Sequence, residues 1–323
     1  MNGMKYQTKY YIGHATNSAE RYKASSGGVG TMLMKFVLST NKVGTALTFV
    51  FNPKLCKYEP KLVYSSNEIN ICGSIYHDID ILYYLKNNLA KVKNNIVLSC
   101  PPCQVNAIRS FLAKRGIQSI IISFCCSGQL DITATWDYLK FLKIDTSQIV
   151  KLQYRGNGWP SGIQVWTKKG LVLFKENYTE PWKTLHKSML YKPKRCFLCK
   201  LDTSYTADFS LGDPWLKEYI EQDNVGNSIF LINTQKAMSI FEEILKSNKI
   251  KCKEIDRNIY EQAQTTTIGK KNTVLSDKKY LIFMSKLVHN RIYHYIFRRN
   301  MLLLRCHLWI KSILYKIYYH LSK

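Results

Sequence analysis

Short apolar strands alternate with amphipathic helices in the first half of the chain, and this alternation limits the possible folds more than any other feature. Residues 96–98 form a short apolar run, residues 104–115 carry apolar side chains at helical spacing, and residues 117–124 form the most strand-like run of the sequence. Strands that alternate with helices in this way are typical of βαβ units, whose strands are parallel. The sequence therefore predicts an α/β fold with a mainly parallel sheet and flanking helices.

The pattern changes along the chain and divides it into three predicted parts. Residues 1–145 are the α/β domain, with a Ser-Ser-Gly-Gly loop and the first cysteines. Residues 146–277 are an α+β section, because turn signals at residues 156–158 and 169–170 predict added antiparallel strands before a cysteine loop and a Gly-Asp turn. Residues 278–323 form a basic amphipathic helical tail.

The charge of the chain is strongly positive. Its 323 residues include 47 Lys and Arg against 22 Asp and Glu, a formal net charge of +25. A surplus of this size predicts an anionic partner and excludes an acidic, self-solvating protein, but it does not indicate a fold. The surplus continues to the end of the chain, because residues 278–323 hold ten Lys and Arg and no acidic residue.

The basic tail is open to two interpretations. Its apolar residues Ile310, Leu314, Ile317 and Leu321 fall on one helical face. Such a helix can lie on an anionic membrane, which predicts a peripheral contact at the inner face of the membrane. It can equally pack on the body and leave a solvated basic face. Nucleic acid is the least favoured partner, because the sequence contains no ordered DNA- or RNA-binding motif.

The sequence predicts a cytoplasmic protein. The first residues hold no apolar run of the length that a signal peptide needs. No stretch of about 18 apolar residues predicts a membrane-spanning helix. Ten cysteines in a long chain of a reducing compartment indicate metal ligation or redox chemistry rather than disulfides.

The pair Cys196-Phe-Leu-Cys199 is the strongest metal-ligand signal. Two thiolates at this spacing suit zinc or an iron–sulfur cluster, but a complete site needs more ligands. Ligand sites of parallel sheets form at the carboxyl ends of strands, where further cysteines follow two predicted strands. These candidates are Cys100, Cys103, Cys125 and Cys126.

Other interpretations of the cysteines remain open. The two Cys-x-x-Cys pairs can form a closed zinc site, although 92 residues separate Cys103 from Cys196. Cys100-Pro-Pro-Cys103 can act as a dithiol whose thiol pKa is lowered by the dipole of the following helix. For the remaining cysteines we favour burial in the core, which is the common state of a free thiol. They are Cys56, Cys72, Cys252 and Cys306.

Seven short motifs occur in a fixed order over residues 10–265. Their order is Ala24-Ser25-Ser26-Gly27-Gly28-Val29, Pro102-Cys103-Gln104, Ser123-Phe124-Cys125, residues 154–159, Cys196-x-x-Cys199, Ala207-Asp208 with Gly212-Asp213, and residues 226–234. Together they resemble the coenzyme F420 hydrogenase/dehydrogenase beta-subunit family, a set of iron–sulfur flavoproteins. The ferredoxin module that is often fused in that family does not precede these motifs.

The resemblance implies an oxidoreductase that passes electrons through FAD between a reduced deazaflavin, or another donor, and a [4Fe-4S] cluster. Coenzyme F420 is then a candidate substrate, and a separate electron-transfer partner protein is expected. The implied cluster ligands are Cys103, Cys125, Cys196 and Cys199. The chain departs from the family at Cys100 and Cys126, so either thiol can replace a neighbour as ligand.

The same resemblance places the cofactor-binding residues at the Ser-Ser-Gly-Gly loop and the Gly-Asp turn. They are Ser25, Ser26, Gly27, Gly28 and Asp213. Glycine lets backbone N–H groups come close to a phosphate, and a helix that starts near Gly28 favours an anion. The alternative is a plain turn with a serine as helix N-cap. We assign no catalytic residue. The competing functions are a non-catalytic or membrane-associated partner protein with this fold, or a zinc or dithiol protein.

Overall fold

The computed structural model describes residues 6–176 and 178–321. Of the predicted parts, residues 1–5 and 322–323 lie outside this range, as does the side chain of Leu321. The strands of the described chain form one large and one small sheet. Their bounds are β1 (Lys9–Ala15), β2 (Thr45–Asn52), β3 (Lys57–Val63), β4 (Ile96–Ser99), β5 (Ser119–Phe124), β6 (Ile149–Gln153), β7 (Gly162–Thr167), β8 (Gly170–Glu176), β9 (Phe209–Gly212), β10 (Ser228–Ile232) and β11 (Ile250–Ile255).

Helices connect and cover these strands. Nine of them precede the last strand: α1 (Ser18–Lys23), α2 (Val29–Ser39), α3 (Ile81–Asn88), α4 (Pro102–Ala113), α5 (Thr133–Phe141), α6 (Trp182–Lys187), α7 (Lys194–Phe197), α8 (Lys217–Gln222) and α9 (Gln235–Lys246). Five more follow it: α10 (Arg257–Ala263), α11 (Thr265–Ser276), α12 (Lys278–Val288), α13 (Arg291–Phe297) and α14 (Met301–Leu321).

The large sheet has eight strands in the order β11-β1-β10-β9-β5-β4-β2-β3. Its four central strands, β9, β5, β4 and β2, are parallel, as the register of Leu98 opposite Ile121 illustrates. The strands at both edges add to them in antiparallel pairs. The predicted α/β fold with a parallel sheet is confirmed, and so are the added antiparallel strands, because β6, β7 and β8 form a separate antiparallel sheet.

Two apolar layers bury the central strands on both faces. Val97 and Ile120 pack towards α2 and α9, whereas Leu98 and Ile121 belong to the core on the opposite face. Successive side chains of a strand point to opposite faces, so a strand that is covered on both sides is apolar throughout. This explains why residues 117–124 are the most strand-like run of the sequence.

The predicted boundary at residue 145 stays a prediction. The large sheet takes β1 to β5 from residues before it and β9 to β11 from residues after it. The domain scheme therefore describes the chain order, while the strands of its first two parts share one sheet.

The C-terminal tail is helical, as predicted, and it packs on the body. Tyr280, Met284, Val288 and Leu304 are buried in the same core as Leu98. The face of α14 that turns inward carries Leu304 and His307 and extends to the half-buried Leu314 and Tyr318. Of the residues on the predicted apolar face, Ile310 and Leu314 are half-buried, whereas Ile317 is 50% exposed.

No helix of the described part of the chain is long and apolar enough to span a membrane. The cytoplasmic location and the contact of the tail with an anionic membrane stay predictions. The inward face of α14 is used in packing, which is the alternative that the sequence left open.

Candidate functional site

A cavity of about 370 Å³ opens where the central parallel strands end. β4, β5 and β9 end at Ser99, Phe124 and Gly212, and the residues that follow each strand line this cavity. The carboxyl ends of parallel strands meet at one edge of a sheet, which is the usual ligand site of such folds. The cavity therefore lies where the sequence places the cysteines and the Gly-Asp turn.

The Ser-Ser-Gly-Gly loop forms one wall of the cavity. Ser25, Ser26 and Gly28 line it, but Gly27 does not. The N–H of Gly27 donates to Ser228 Oγ at 3.0 Å. A Cβ atom at position 27 would lie 2.5 Å from the carbonyl oxygen of Gly13, so only glycine fits this close approach. Gly27 thus holds the loop against the sheet.

The loop ends at the beginning of α2, whose N-terminus faces the cavity. Gly28 is the N-cap residue with a left-handed φ of 76°, and no side chain caps the helix. The alternative of a serine N-cap is therefore wrong, because the backbone turn needs a glycine at this position. Val29, Gly30 and Thr31 line the cavity at the first turn. The amides of an uncapped first turn attract an anion such as a phosphate.

A buried ion pair between Arg155 and Asp213 holds the Gly-Asp turn beside the Ser-Ser-Gly-Gly loop. Asp213 lines the cavity, and its carboxylate accepts hydrogen bonds from Arg155 and from Trp159 Nε1, the latter at 3.0 Å. The Asp213 backbone carbonyl accepts a further bond from Gln264 Nε2 at 2.7 Å. Asp213 is close to the loop, but its carboxylate is occupied by protein donors.

Asp208, the first acidic residue of the same motif, has a structural position. Its buried carboxylate accepts from the Ile121 N–H at 2.8 Å, from Arg109 Nη2 at 2.8 Å and from Thr234 Oγ1 at 3.0 Å. These donors come from β5, α4 and the N-cap of α9. Asp208 therefore ties the sheet to its helices and does not line the cavity.

Four cysteines of the set lie near enough to one another beside the cavity to shift the pKa of a neighbouring thiol. Burial raises the pKa of Cys103, and the thiols of Cys199 and Cys196 act in the same direction. Burial also raises the pKa of Cys126 to about 11, and Cys196 and Cys103 act in the same direction. We call Cys103, Cys126, Cys196 and Cys199 the thiol group. Cys126 alone of these four also lines the cavity.

Cys125 also lines the cavity, but no cysteine of the thiol group is among the neighbours that shift its pKa. Its Sγ lies 3.3 Å from the hydroxyl of Tyr260 and packs against Gly212. Burial raises the pKa of Cys125 to about 12. The backbone of its neighbour Cys126 is bound to the segment that follows Cys199, because the Cys126 N–H donates to the carbonyl oxygen of Asp202 at 2.7 Å.

A positively charged residue, Arg195, lies next to the thiol group. The positive charge of Arg195 opposes the upward shift that burial causes in the pKa of Cys103, and Arg195 also pairs with Asp78. Arg195 is half exposed, so it can balance thiolate charge while it remains accessible to solvent. Its partners favour charge balance over simple solvation.

The pKa directions of Cys100 and Cys103 disfavour the dithiol interpretation, which expects a lowered thiol pKa. Cys100 is fully buried, and burial raises the pKa of both thiols, whereas a reactive dithiol needs a lowered one. Within residues 6–176 and 178–321, no three His, Cys, Asp or Glu side chains are arranged to hold a single metal ion. A four-iron cluster binds its thiolates at separate corners, so its ligands stand further apart, and four neighbouring thiols are the donor set that it takes.

Arg155 is a site residue that the sequence patterns do not predict by themselves. It lies inside one of the recognised motifs, residues 154–159, and lines the cavity. The available signal was the position of this one charged residue between the aromatic residues Tyr154 and Trp159, which are buried. A charge in such surroundings requires a partner, so it indicates an ion pair or a ligand.

Comparisons with known proteins agree with this geometry. The family model for the N-terminal part of the coenzyme F420 hydrogenase/dehydrogenase beta subunit matches residues 10–86, and the model for its C-terminal part matches residues 93–258. Among solved structures, a chain of the F420-reducing [NiFe] hydrogenase complex from Methanosarcina barkeri, from a xenon derivatization, is similar to this chain. The TM-score is 0.64 at 17% identity, over 85% of this chain and 93% of that chain. This similarity shows the fold alone. No curated protein matches the chain.

Proposed function

The chain belongs to the coenzyme F420 hydrogenase/dehydrogenase beta-subunit family and is an oxidoreductase, and from this premise we propose that it relays electrons between FAD in the cavity and a [4Fe-4S] cluster on the thiol group. The observation that carries the proposal is the position of Cys126. This residue lines the cavity and also faces the thiols of Cys103 and Cys196. One side chain thus connects the space for an organic cofactor with the donors for a metal cluster.

The cavity walls supply what a dinucleotide needs. The uncapped first turn of α2 offers backbone donors for phosphate oxygens beside Ser25 and Ser26. Apolar side chains of the same cavity, such as Leu47 and Ile122, offer contact area for a planar ring. A bound flavin accepts a hydride and releases single electrons, so it can join a two-electron donor to a one-electron cluster.

For the cluster ligands, we propose Cys103, Cys196, Cys199 and Cys126. Cys125, which the family resemblance favours, is the alternative fourth ligand. Cys126 is supported by its neighbouring thiols and by the Gly128 backbone amide, which opposes the upward shift that burial causes in its pKa. Hydrogen bonds to cluster sulfurs are one of the means by which a protein sets a reduction potential.

The donor is proposed to be reduced coenzyme F420, which the description of the matched family names, or another hydride donor. The other end of the path is proposed to be a separate partner protein. The similar solved chain is part of a hydrogenase complex, which supports a partner protein for this chain as well.

Anaerobic purification followed by flavin and iron assays tests the proposal. We expect a coloured protein with FAD and iron, and oxidation of reduced coenzyme F420 that is coupled to reduction of a one-electron dye. A colourless protein without iron and flavin, after expression with iron and reconstitution with FAD, would overturn it in favour of a non-catalytic partner protein.

A further inference from the structure

Five lysine side chains gather where α6, the loop after it, α11 and α14 meet. We call Lys187, Lys192, Lys270, Lys271 and Lys311 the lysine cluster. Lys311 Nζ donates to the carbonyl oxygen of Lys187 at 2.5 Å, which joins α14 to α6. The Cε atom of Lys192 lies 3.6 Å from the position of a Cβ atom on Gly128.

The positive charges of the cluster are not balanced. None of its five lysines forms an ion pair with a carboxylate in residues 6–176 and 178–321. Lys271 is only 6% exposed. Burial lowers the pKa of Lys311 to about 8, and Lys192 and Lys187 act in the same direction. Lys192 and Lys311 are half-buried, whereas Lys187 and Lys270 are exposed. Like charges that are brought together next to buried ones cost free energy unless an anion binds to them.

The cluster lies at the rim of the cavity. Thr267 of α11 lines the cavity, and Lys270 and Lys271 follow it by three and four residues, on the same side of the helix. His186, the residue before Lys187, lines the cavity as well. A molecule in the cavity can therefore reach the lysines with one end.

Most of the cluster comes from outside the matched family region. Lys270, Lys271 and Lys311 lie after residue 258, where the match ends. They belong to helices that pack on the same core as α6, through Val274 and Leu304. The matched family region contributes two lysines to the cluster, and the C-terminal helices contribute the other three.

We propose that the lysine cluster binds the multiply charged end of a small molecule, through phosphate or carboxylate groups, as this molecule enters the cavity. Ammonium groups that converge at a cavity rim raise the local concentration of such an anion and donate hydrogen bonds to its oxygens. A lipid headgroup offers the same chemistry, but the position of the buried Lys271 and the half-buried Lys192 and Lys311 beside a cavity favours a soluble molecule over a flat surface. The proposal requires neither flavin nor iron.

Two members of the cluster also face the thiol group, so they are unsuitable for the test. The thiols of Cys196 and Cys199 act on the pKa of Lys192, and Lys271 acts on that of Cys126. The neighbours that shift the pKa of Lys270 and Lys311 are lysines alone. Substitution of Lys270 and Lys311 therefore tests anion binding and leaves the thiol group unchanged.

The experiment measures binding of inorganic pyrophosphate to the full chain by titration calorimetry. We expect the variant Lys270→Met/Lys311→Met to bind at least tenfold more weakly than the wild type. The control Lys246→Met removes an exposed lysine of α9, on the other face of the sheet, and should bind like the wild type. Iron and flavin contents should be equal in all three proteins.

Stability in the absence of anion separates ligand binding from a structural role. Removal of two mutually repelling charges should leave the urea midpoint of the double variant unchanged or higher. Equal pyrophosphate affinity in the three proteins, or no binding by the wild type, would refute the proposal. Phosphatidylglycerol vesicles that bind through these lysines, while pyrophosphate does not, would refute the small-molecule assignment in favour of a lipid.

Discussion

Arg155 and Asp213 form a two-pronged ion pair at the cavity. Arg155 Nη1 donates to Asp213 Oδ2 at 2.7 Å, and Nη2 donates to Oδ1 at 2.8 Å. The same Nη2 group donates to the carbonyl oxygen of Ser25 at 2.6 Å. The pair thus joins the Ser-Ser-Gly-Gly loop to the Gly-Asp turn, and Asp213 acts as a positioning residue.

Replacement of Arg155 by Met should destabilise the protein strongly. The Arg155 side chain is 4% exposed, so its loss leaves the Asp213 carboxylate without its charged partner in a largely buried place. Breaking a buried ion pair from one side typically costs about 3–5 kcal/mol of the free energy of unfolding. Urea denaturation measures this cost. As a control, Lys217→Met breaks the exposed pair with Glu221 and should leave stability unchanged. A cost below about 1 kcal/mol for Arg155→Met would contradict the positioning role.

The two adjacent cysteines should differ in their effect on iron content. Cys126→Ser removes a member of the thiol group, so we expect it to lose most of the bound iron after anaerobic purification. Cys125→Ser alters a thiol that contacts Tyr260, so we expect it to keep its iron. Cys252→Ser, in β11 at the far edge of the large sheet, is the matched control. If Cys125→Ser loses iron and Cys126→Ser does not, Cys125 is the fourth ligand.

Much of the fold was predictable because its centre is marked by local patterns. β4 and β5 are covered on both faces, which makes them continuous apolar runs between helices of clear period. β1 carries no such signal: Gly13 and His14 interrupt the residues Lys9–Ala15. Its partners are distant in sequence, as the pairing of Tyr11 with Phe230 shows. Tertiary pairing therefore decided its conformation.

The site was predictable in position but not in the direction of its side chains. The sequence places Cys125 and Cys126 at the end of β5, where successive residues point to opposite sides. Which of the two faces Cys103 depends on Tyr260 and Asp202, from segments far away in the chain. The lysine cluster was hidden for the same reason, because only the folded chain brings α6, α11 and α14 together.

Leu304 and Leu302 of α14 should differ sharply in their contribution to stability. Leu304 is fully buried in the core, whereas Leu302 is 71% exposed. Leu304→Ala should lower the free energy of unfolding by about 2–5 kcal/mol, the usual cost of a core truncation. Leu302→Ala should change it by less than about 0.5 kcal/mol. Urea denaturation of the two variants compares them directly. Equal small effects would mean that the tail does not contribute to the core.

His186 should make the protein less stable as the pH falls below neutrality. Burial lowers the pKa of His186 from 6.5 to about 4, and Lys270, Lys192 and Lys187 act in the same direction. The unfolded chain therefore binds a proton at about pH 6.5 that the folded chain takes up only near pH 4. The stability is fully present above pH 6.5 and is lost as the pH falls towards 4.

The expected loss at pH 5 is about 2 kcal/mol, since each pKa unit corresponds to about 1.4 kcal/mol. His186→Gln cannot bind a proton, so its free energy of unfolding should fall less steeply between pH 7 and pH 5. Other buried histidines with lowered pKa values, such as His77 and His307, are common to both proteins and cancel in the comparison. Urea denaturation at pH 7, 6 and 5 gives both curves. Parallel curves would show that the lysine cluster and burial do not keep His186 neutral.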